Sequence, residues 1–211
     1  MKLAILGTGK IVHDLLEALK CVPDIEVTSV FARPKSRAKA EALASEWNIP
    51  CVYTDYAELL ANDDADFIYV GLINTVHYEY TKQALAAGRN VIVEKPFAPT
   101  YAEVKELVDL AQAKHAMLLE AVTLLYLPNF AAMRDALKSL GPVRAVLANY
   151  SQYSSRYDKY KDGVVLPAFD PALAGGALYD INIYNLNLIC GLFGAPERAT
   201  YTVNRGFNGV D

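Results

Sequence analysis

Leu3-Ala4-Ile5-Leu6-Gly7-Thr8-Gly9-Lys10-Ile11 opens the chain with a short apolar run, a Gly-x-Gly turn and the start of an amphipathic segment. The run has the length of a buried strand, and residues 11–19 repeat apolar side chains at helical spacing. Strand, glycine turn and helix in that order make a corner suited to an anion. Glycine lets a diphosphate approach the backbone, and a helix N-terminus offers N–H groups and partial positive charge. The third position of the Gly-x-Gly-x-x-Gly pattern is Val12, so the pattern is incomplete and the turn alone is weak evidence. Its place between strand and helix gives it weight.

The alternation continues downstream. Strands are expected over 2–6, 26–32, 51–53, 67–71, 90–93 and 117–121, and helices over 11–19, 36–47, 56–60, 76–87 and 101–114. Such alternation predicts an α/β fold, a doubly wound parallel sheet covered on both faces. Thr100 and Glu103 form a capping box for the last of these helices, and Gly88 closes the helix before it. The pattern changes near residue 122. A helix over 130–140 stops at Gly141-Pro142, a strand is expected over 143–150, and a Tyr- and Asp-rich stretch fills 151–171. A helix over 176–191 and a strand over 198–203 follow. Two strands are too few for an independent sheet, so this second region reads as the incomplete start of a further domain.

A chain of 211 residues, 53% of them hydrophobic, can bury the core of one large or two small domains. The net charge of −4, with signs mixed, gives no footprint for nucleic acid. No apolar run approaches the roughly 18–20 residues that span a bilayer, and the opening run is too short for a secretory signal; a cytoplasmic protein without a membrane partner is expected. Cys21, Cys51 and Cys190 are widely spaced and odd in number, which predicts buried thiols in a reducing compartment. His13, His77 and His115 lack metal-ligand spacing, so no metal site is expected.

The end of the second strand should decide which dinucleotide binds. An acidic residue about 20 positions after the glycines would hold a ribose 2′-hydroxyl. Phe31-Ala32-Arg33-Pro34-Lys35-Ser36-Arg37 stands there instead, with three cations, one hydroxyl and no carboxylate. That composition suits a 2′-phosphate and favours NADP over NAD, although a solvated basic loop would look the same.

Val91-Ile92-Val93-Glu94-Lys95-Pro96 places a lysine just beyond the fifth strand, at the edge where doubly wound sheets bind ligands, and Pro96 allows a cis bond. Asp180 and Tyr184 lie four residues apart, a spacing that puts them on one helical face. A phenol ionises near ~10 in water, and a neighbouring ammonium stabilises the phenolate, so lysine and tyrosine together make an acid–base pair. The plain alternatives are an exposed lysine and one of 14 tyrosines in a core or interface.

Gly7-x-Gly9-x-Ile11, Asn74-x-x-His77, Ala87-Gly88-Arg89-Asn90 running into Glu94-Lys95-Pro96, Gly141-Pro142-Val143 and Gly175-Gly176-Ala-Leu-Tyr-Asp180 recur in one family. The chain resembles the glucose-fructose oxidoreductase / inositol dehydrogenase / MocA (Gfo/Idh/MocA) family, and its dimeric dihydrodiol dehydrogenase-like branch in carrying Tyr184 where many relatives have histidine. The resemblance implies an NADP-binding Rossmann domain over 1–122. Over 123–211 it implies the start of a substrate and oligomerisation domain on an open, mostly antiparallel sheet, truncated here. It also implies a homo-oligomer where that sheet is complete. Expected cofactor contacts are Gly7, Thr8, Gly9, Lys10 and Ile11; Ala32, Arg33, Ser36 and Arg37; Leu72, Asn74 and His77; and Glu94 with Lys95.

The implied catalytic roles are specific. Lys95 touches cofactor and substrate and tunes Tyr184, Tyr184 exchanges a proton with the carbinol or carbonyl oxygen, and Asp180 orients a substrate hydroxyl. The chain departs from the family at Val12, at Ile73 in place of a proline, and at Asn182 in place of a glycine. The expected activity is NADP-dependent oxidoreduction of a sugar, cyclitol or dihydrodiol. Its rivals are a non-catalytic NADP-binding sensor or an inactive fragment. The segment from Tyr150 to Tyr160, rich in tyrosine and serine, suits carbohydrate contacts and a dimer surface equally.

Overall fold

The computed structural model describes residues 1–211 and divides into two compact units, Met1–Ala121 and Val122–Asp211. In the first, six parallel strands are ordered β3-β2-β1-β4-β5-β6: β1 (Lys2–Leu6), β2 (Glu26–Phe31), β3 (Cys51–Tyr53), β4 (Phe67–Val70), β5 (Asn90–Glu94) and β6 (Leu118–Ala121). Helices α1 (Lys10–Leu19), α2 (Arg37–Trp47), α3 (Tyr56–Asn62), α4 (His77–Ala86) and α5 (Tyr101–Ala113) connect them. The elements expected over this unit all form, with ends that differ by a residue or two.

Two cores result from the period-2 alternation of the strands. On β1, Ala4 and Leu6 join Ile68, Val70, Leu85 and Leu107 on one face. Leu3 and Ile5 join Val12, Leu16, Val30 and Leu43 on the other. Each fully buried aliphatic side chain contributes about 1.5–3 kcal/mol relative to exposure, which is why the central strands read as continuous apolar runs. The β1–β2 register skips Thr28. Its hydroxyl donates to Asp63 at 2.9 Å and lies 3.3 Å from the Leu3 carbonyl, satisfying the irregularity from within. Helix α5 begins with the expected box: Thr100 Oγ1 accepts from the Glu103 N–H at 3.3 Å, and the Thr100 N–H donates back to Glu103 at 2.9 Å.

The second unit contains α6 (Pro128–Leu137), α7 (Tyr157–Lys161) and α8 (Ile183–Phe193), joined by long, largely irregular segments. Helix α8 presents Gly191 to the buried Phe130 of α6, and a Cβ at Gly191 would lie 2.8 Å from the Phe130 ring. Tyr160 stacks on Phe169 at 4.9 Å and on Phe207 at 4.5 Å. The strands expected over 143–150 and 198–203 do not form, so this unit carries no antiparallel sheet. A strand exists through its ladder, and neither segment makes backbone hydrogen bonds. Their alternating side chains instead face solvent, Leu147 completely. The three cysteines are exposed free thiols, contrary to the expected burial. No helix is long and apolar enough to cross a membrane.

Candidate functional site

Strand β1 is flanked by β2 on one side and β4 on the other, which makes its C-terminal end the topological switch point of the sheet. A cleft of about 250 Å³ opens there. Gly7, Thr8, Gly9 and Ile11 form its floor after β1, Ala32, Arg33 and Ser36 one wall after β2, and Gly71 and Leu72 begin the other after β4.

The floor requires its glycines. Gly7 has φ +116°, and a Cβ there would sit 2.4 Å from the Gly71 carbonyl oxygen. Its N–H donates to the Phe31 carbonyl at 2.9 Å, and the Gly71 N–H donates to the Leu6 carbonyl at 2.9 Å, so three strand ends are tied at one point. Gly9 is extended and no side chain caps α1, which leaves the helix N-terminus open toward the cleft. The absent third glycine is also explained. Val12 is fully buried and packs where a Cβ at Gly71 would come within 3.0 Å of it, so the close approach made by a small residue at 12 is met by glycine at 71.

Of the basic loop, Arg33 is the cation that lines the cleft. Arg37 lies outside the lining and pairs with Glu41 at 2.8 Å, one helical turn on. Lys10 is likewise turned away, its ammonium 2.7 Å from both Asp14 oxygens. Both expected cofactor contacts are thus drawn off by an i,i+4 carboxylate. No aspartate or glutamate lines the cleft. An anion-seeking helix end, glycines that admit a bulky diphosphate, and an unopposed guanidinium fit a dinucleotide carrying an extra phosphate.

Ile73, Val76 and Tyr80 complete the wall, and the sequence reading missed them together with Gly71. Val76 and Tyr80 are four residues apart across the start of α4, a spacing that could have flagged them. Asn74 starts the short turn before α4 and does not line the cleft. His77, expected to touch cofactor, is 1% exposed instead. Its Nδ1 lies 2.8 Å from the Pro96 carbonyl and its Nε2 3.1 Å from the Leu72 carbonyl, so it joins the cleft wall to the loop after β5.

That loop carries Glu94, Lys95 and Pro96, and the Lys95–Pro96 peptide is cis. Glu94 is buried and accepts from the Tyr69 hydroxyl at 2.5 Å, so it braces the strand end from inside and does not line the cleft. Burial, then the Glu94 charge, pushes the Tyr69 phenol well above its ordinary range. Glu120 accepts from the Phe97 N–H at 3.0 Å, and desolvation raises its carboxyl above the usual value. Lys95 itself is partly buried between Glu94 and Pro96 and stands outside the cleft lining.

In the second unit Asp180 lies in a π-helical turn, Leu178–Asn182, and Tyr184 in the first turn of α8. The widened turn replaces the regular helix expected around them, a distortion frequent at functional sites. Asp180 lines a pocket of about 440 Å³, and the Tyr184 ring lies 5.2 Å from that of Tyr150.

Residues 1–122 match the family model GFO_IDH_MocA, described as an oxidoreductase family with an NAD-binding Rossmann fold. The chain is 35% identical over 212 residues to scyllo-inositol 2-dehydrogenase (NADP(+)) IolU of Bacillus subtilis (strain 168), an alignment covering 99% of this chain and 64% of that protein. It is 33% identical over 215 residues to trans-1,2-dihydrobenzene-1,2-diol dehydrogenase of Xenopus tropicalis, covering 100% and 62%. Among solved structures it is similar to KijD10, a 3-ketoreductase from Actinomadura kijaniata in complex with NADP and TDP-benzene. That match has a TM-score of 0.73 at 25% identity and covers 92% of this chain and 57% of the other. The chain spans 62–64% of the length of these curated relatives.

Proposed function

The chain belongs to the Gfo/Idh/MocA oxidoreductase family, and on that premise we propose that it serves NADP-dependent oxidoreduction of a carbinol or carbonyl group on a sugar, cyclitol or dihydrodiol. The observation that carries the reading is the cleft at the end of β1, where Gly7, Gly9 and the open N-terminus of α1 meet Arg33 and Ser36 with no carboxylate among them. The names of the relatives, an NADP(+)-dependent inositol dehydrogenase and a dihydrodiol dehydrogenase, support the same class. When bound, the nicotinamide supplies hydride transfer.

The chain's own residues supply the rest. Glycines and helix N–H groups hold the diphosphate, and Arg33 and Ser36 hold the 2′-phosphate. Tyr184 moves the proton at the reacting oxygen, Lys95 tunes that phenol, and Asp180 orients a neighbouring hydroxyl. Homo-oligomer assembly belongs to the second unit, where the segment 143–150 leaves Val143, Val146 and Leu147 open to solvent. The free, exposed thiols accord with a reducing, cytoplasmic setting.

Parallel titration of the chain with NADPH and NADH, followed by nucleotide fluorescence, tests the reading. NADPH should bind more tightly; equal or tighter binding of NADH would overturn the NADP assignment, and binding of neither would overturn the cofactor site.

A further inference from the structure

The 440 Å³ pocket of the second unit falls in the size range of small-molecule sites, about 300–1,000 Å³. Its lining combines Arg156, Ser154 and Ser155 with Asp180 and Asp211, against the rings of Tyr153, Tyr157 and Phe169. The aromatic wall is pre-set: Tyr153 and Tyr157 meet edge to face at 5.5 Å, and Tyr157 lies 6.1 Å from Phe169.

The charges in and around this pocket differ in how they are engaged. Asp158, beside it in sequence, is neutralised by Lys161 at 2.8 Å and by the Tyr153 hydroxyl at 2.6 Å. Asp211 accepts from the Leu178 N–H at 2.7 Å and from the Tyr201 hydroxyl, so its carboxylate is occupied in closing the Gly175-Gly176 turn. Arg156 uses its backbone N–H, which donates to Ser154 Oγ at 3.2 Å, while its guanidinium makes no hydrogen bond or ion pair. A guanidinium carries five donors and no acceptor, in a planar fork that matches a carboxylate or phosphate. A neutral polyol would give Arg156 little more than water does.

We infer that Arg156 is a specificity-determining residue that selects a polyhydroxylated substrate bearing an acidic group, carboxylate or phosphate. This rests on the reading of the second unit as substrate-binding. The acidic group lies against the guanidinium with the Ser154 and Ser155 hydroxyls beside it, the substrate hydroxyls donate to Asp180, and its C–H face covers the tyrosine rings.

The test is an amide NMR titration of the 211-residue chain, saturated with NADP+, using D-glucose, D-glucuronate, D-glucose 6-phosphate and inorganic phosphate. At least one acidic sugar should bind roughly tenfold or more tightly than glucose, the scale of hydrogen bonds to charged groups. The comparison of glucuronate with the 6-phosphate identifies which anion is read. Arg156→Leu should erase the difference, whereas Arg156→Lys should keep part of it. Arg156 is exposed and unpaired, so the variant spectra should otherwise overlay the parent. Equal affinity for glucose and both acidic sugars, or a preference that survives Arg156→Leu, would overturn the inference. So would inorganic phosphate binding as tightly as the sugars, or no sugar binding at all. NADP+ binding is read separately from resonances of the first unit, so loss of the cofactor reading and loss of this one are distinct results.

Discussion

Arg33→Asp is the most decisive perturbation of the cleft. Arg33 is the cation in the lining, since Lys10 and Arg37 are committed to Asp14 and Glu41. The substitution removes charge-assisted hydrogen bonds to the 2′-phosphate, worth about 1.5–3 kcal/mol. It also introduces a like charge, at a cost of about 1 kcal/mol per contact in water-like surroundings and about 4 at an effective dielectric near 20. Arg33 is exposed, so the lower figure applies. The sum, about 3 kcal/mol, corresponds to a loss of roughly two orders of magnitude in NADPH affinity.

NADH affinity should change little or improve, because an acidic residue here can accept from the ribose hydroxyls. Arg37→Asp is the control and should shift NADPH binding by no more than about threefold, the scale of an exposed ion pair. The assay is fluorescence titration with each nucleotide at two ionic strengths, and the parent's preference should shrink as salt rises. An unchanged NADPH:NADH ratio in Arg33→Asp, or an equal fall in Arg37→Asp, would refute the assignment of Arg33.

Gly71→Ala should lower stability by about 1–3 kcal/mol through overpacking, because its Cβ would lie 2.8 Å from the Tyr69 ring and 3.0 Å from Val12; an unshifted thermal melt would contradict that geometry. Lys95→Ala and Tyr184→Phe should each reduce turnover of a responsive polyol by roughly two orders of magnitude or more, and near-parental rates in both would remove them from the chemistry. Glu120 has a folded-state carboxyl raised by burial, so its contribution to stability is fully present at low pH and is lost as pH rises through the carboxylate range. Denaturant unfolding should therefore show the parent losing stability relative to Glu120→Gln from about pH 4 upward, and parallel pH profiles would count against it.

Local signals were legible in the chain where neighbouring residues settle the structure. The apolar run before Gly7, the Thr100–Glu103 box and the missing acid near Arg33 each depend on a few adjacent positions. The sequestering of Lys10 and Arg37 was readable too, since Asp14 and Glu41 stand at i+4 on the same helices. The wall built by Gly71, Ile73 and Tyr80 was harder, because it exists only once β4 lies beside β1. His77 was misread for a similar reason: the motif marks its position, but burial depends on which side of α4 meets the Pro96 loop. The segments 143–150 and 198–203 alternate like strands, yet alternation specifies a face and not a partner.

His77 faces two carbonyl oxygens, at 2.8 and 3.1 Å. A neutral imidazole owns a single N–H and an imidazolium owns two, so the ring donates to one of these carbonyls in its neutral form and to both when it carries the second proton. Transfer of the neutral ring's one proton from Nδ1 to Nε2 would move a hydrogen bond from the lysine-bearing loop to the nucleotide cleft without displacing any heavy atom. The protons carried by one hidden ring thus set which side of the groove it tethers.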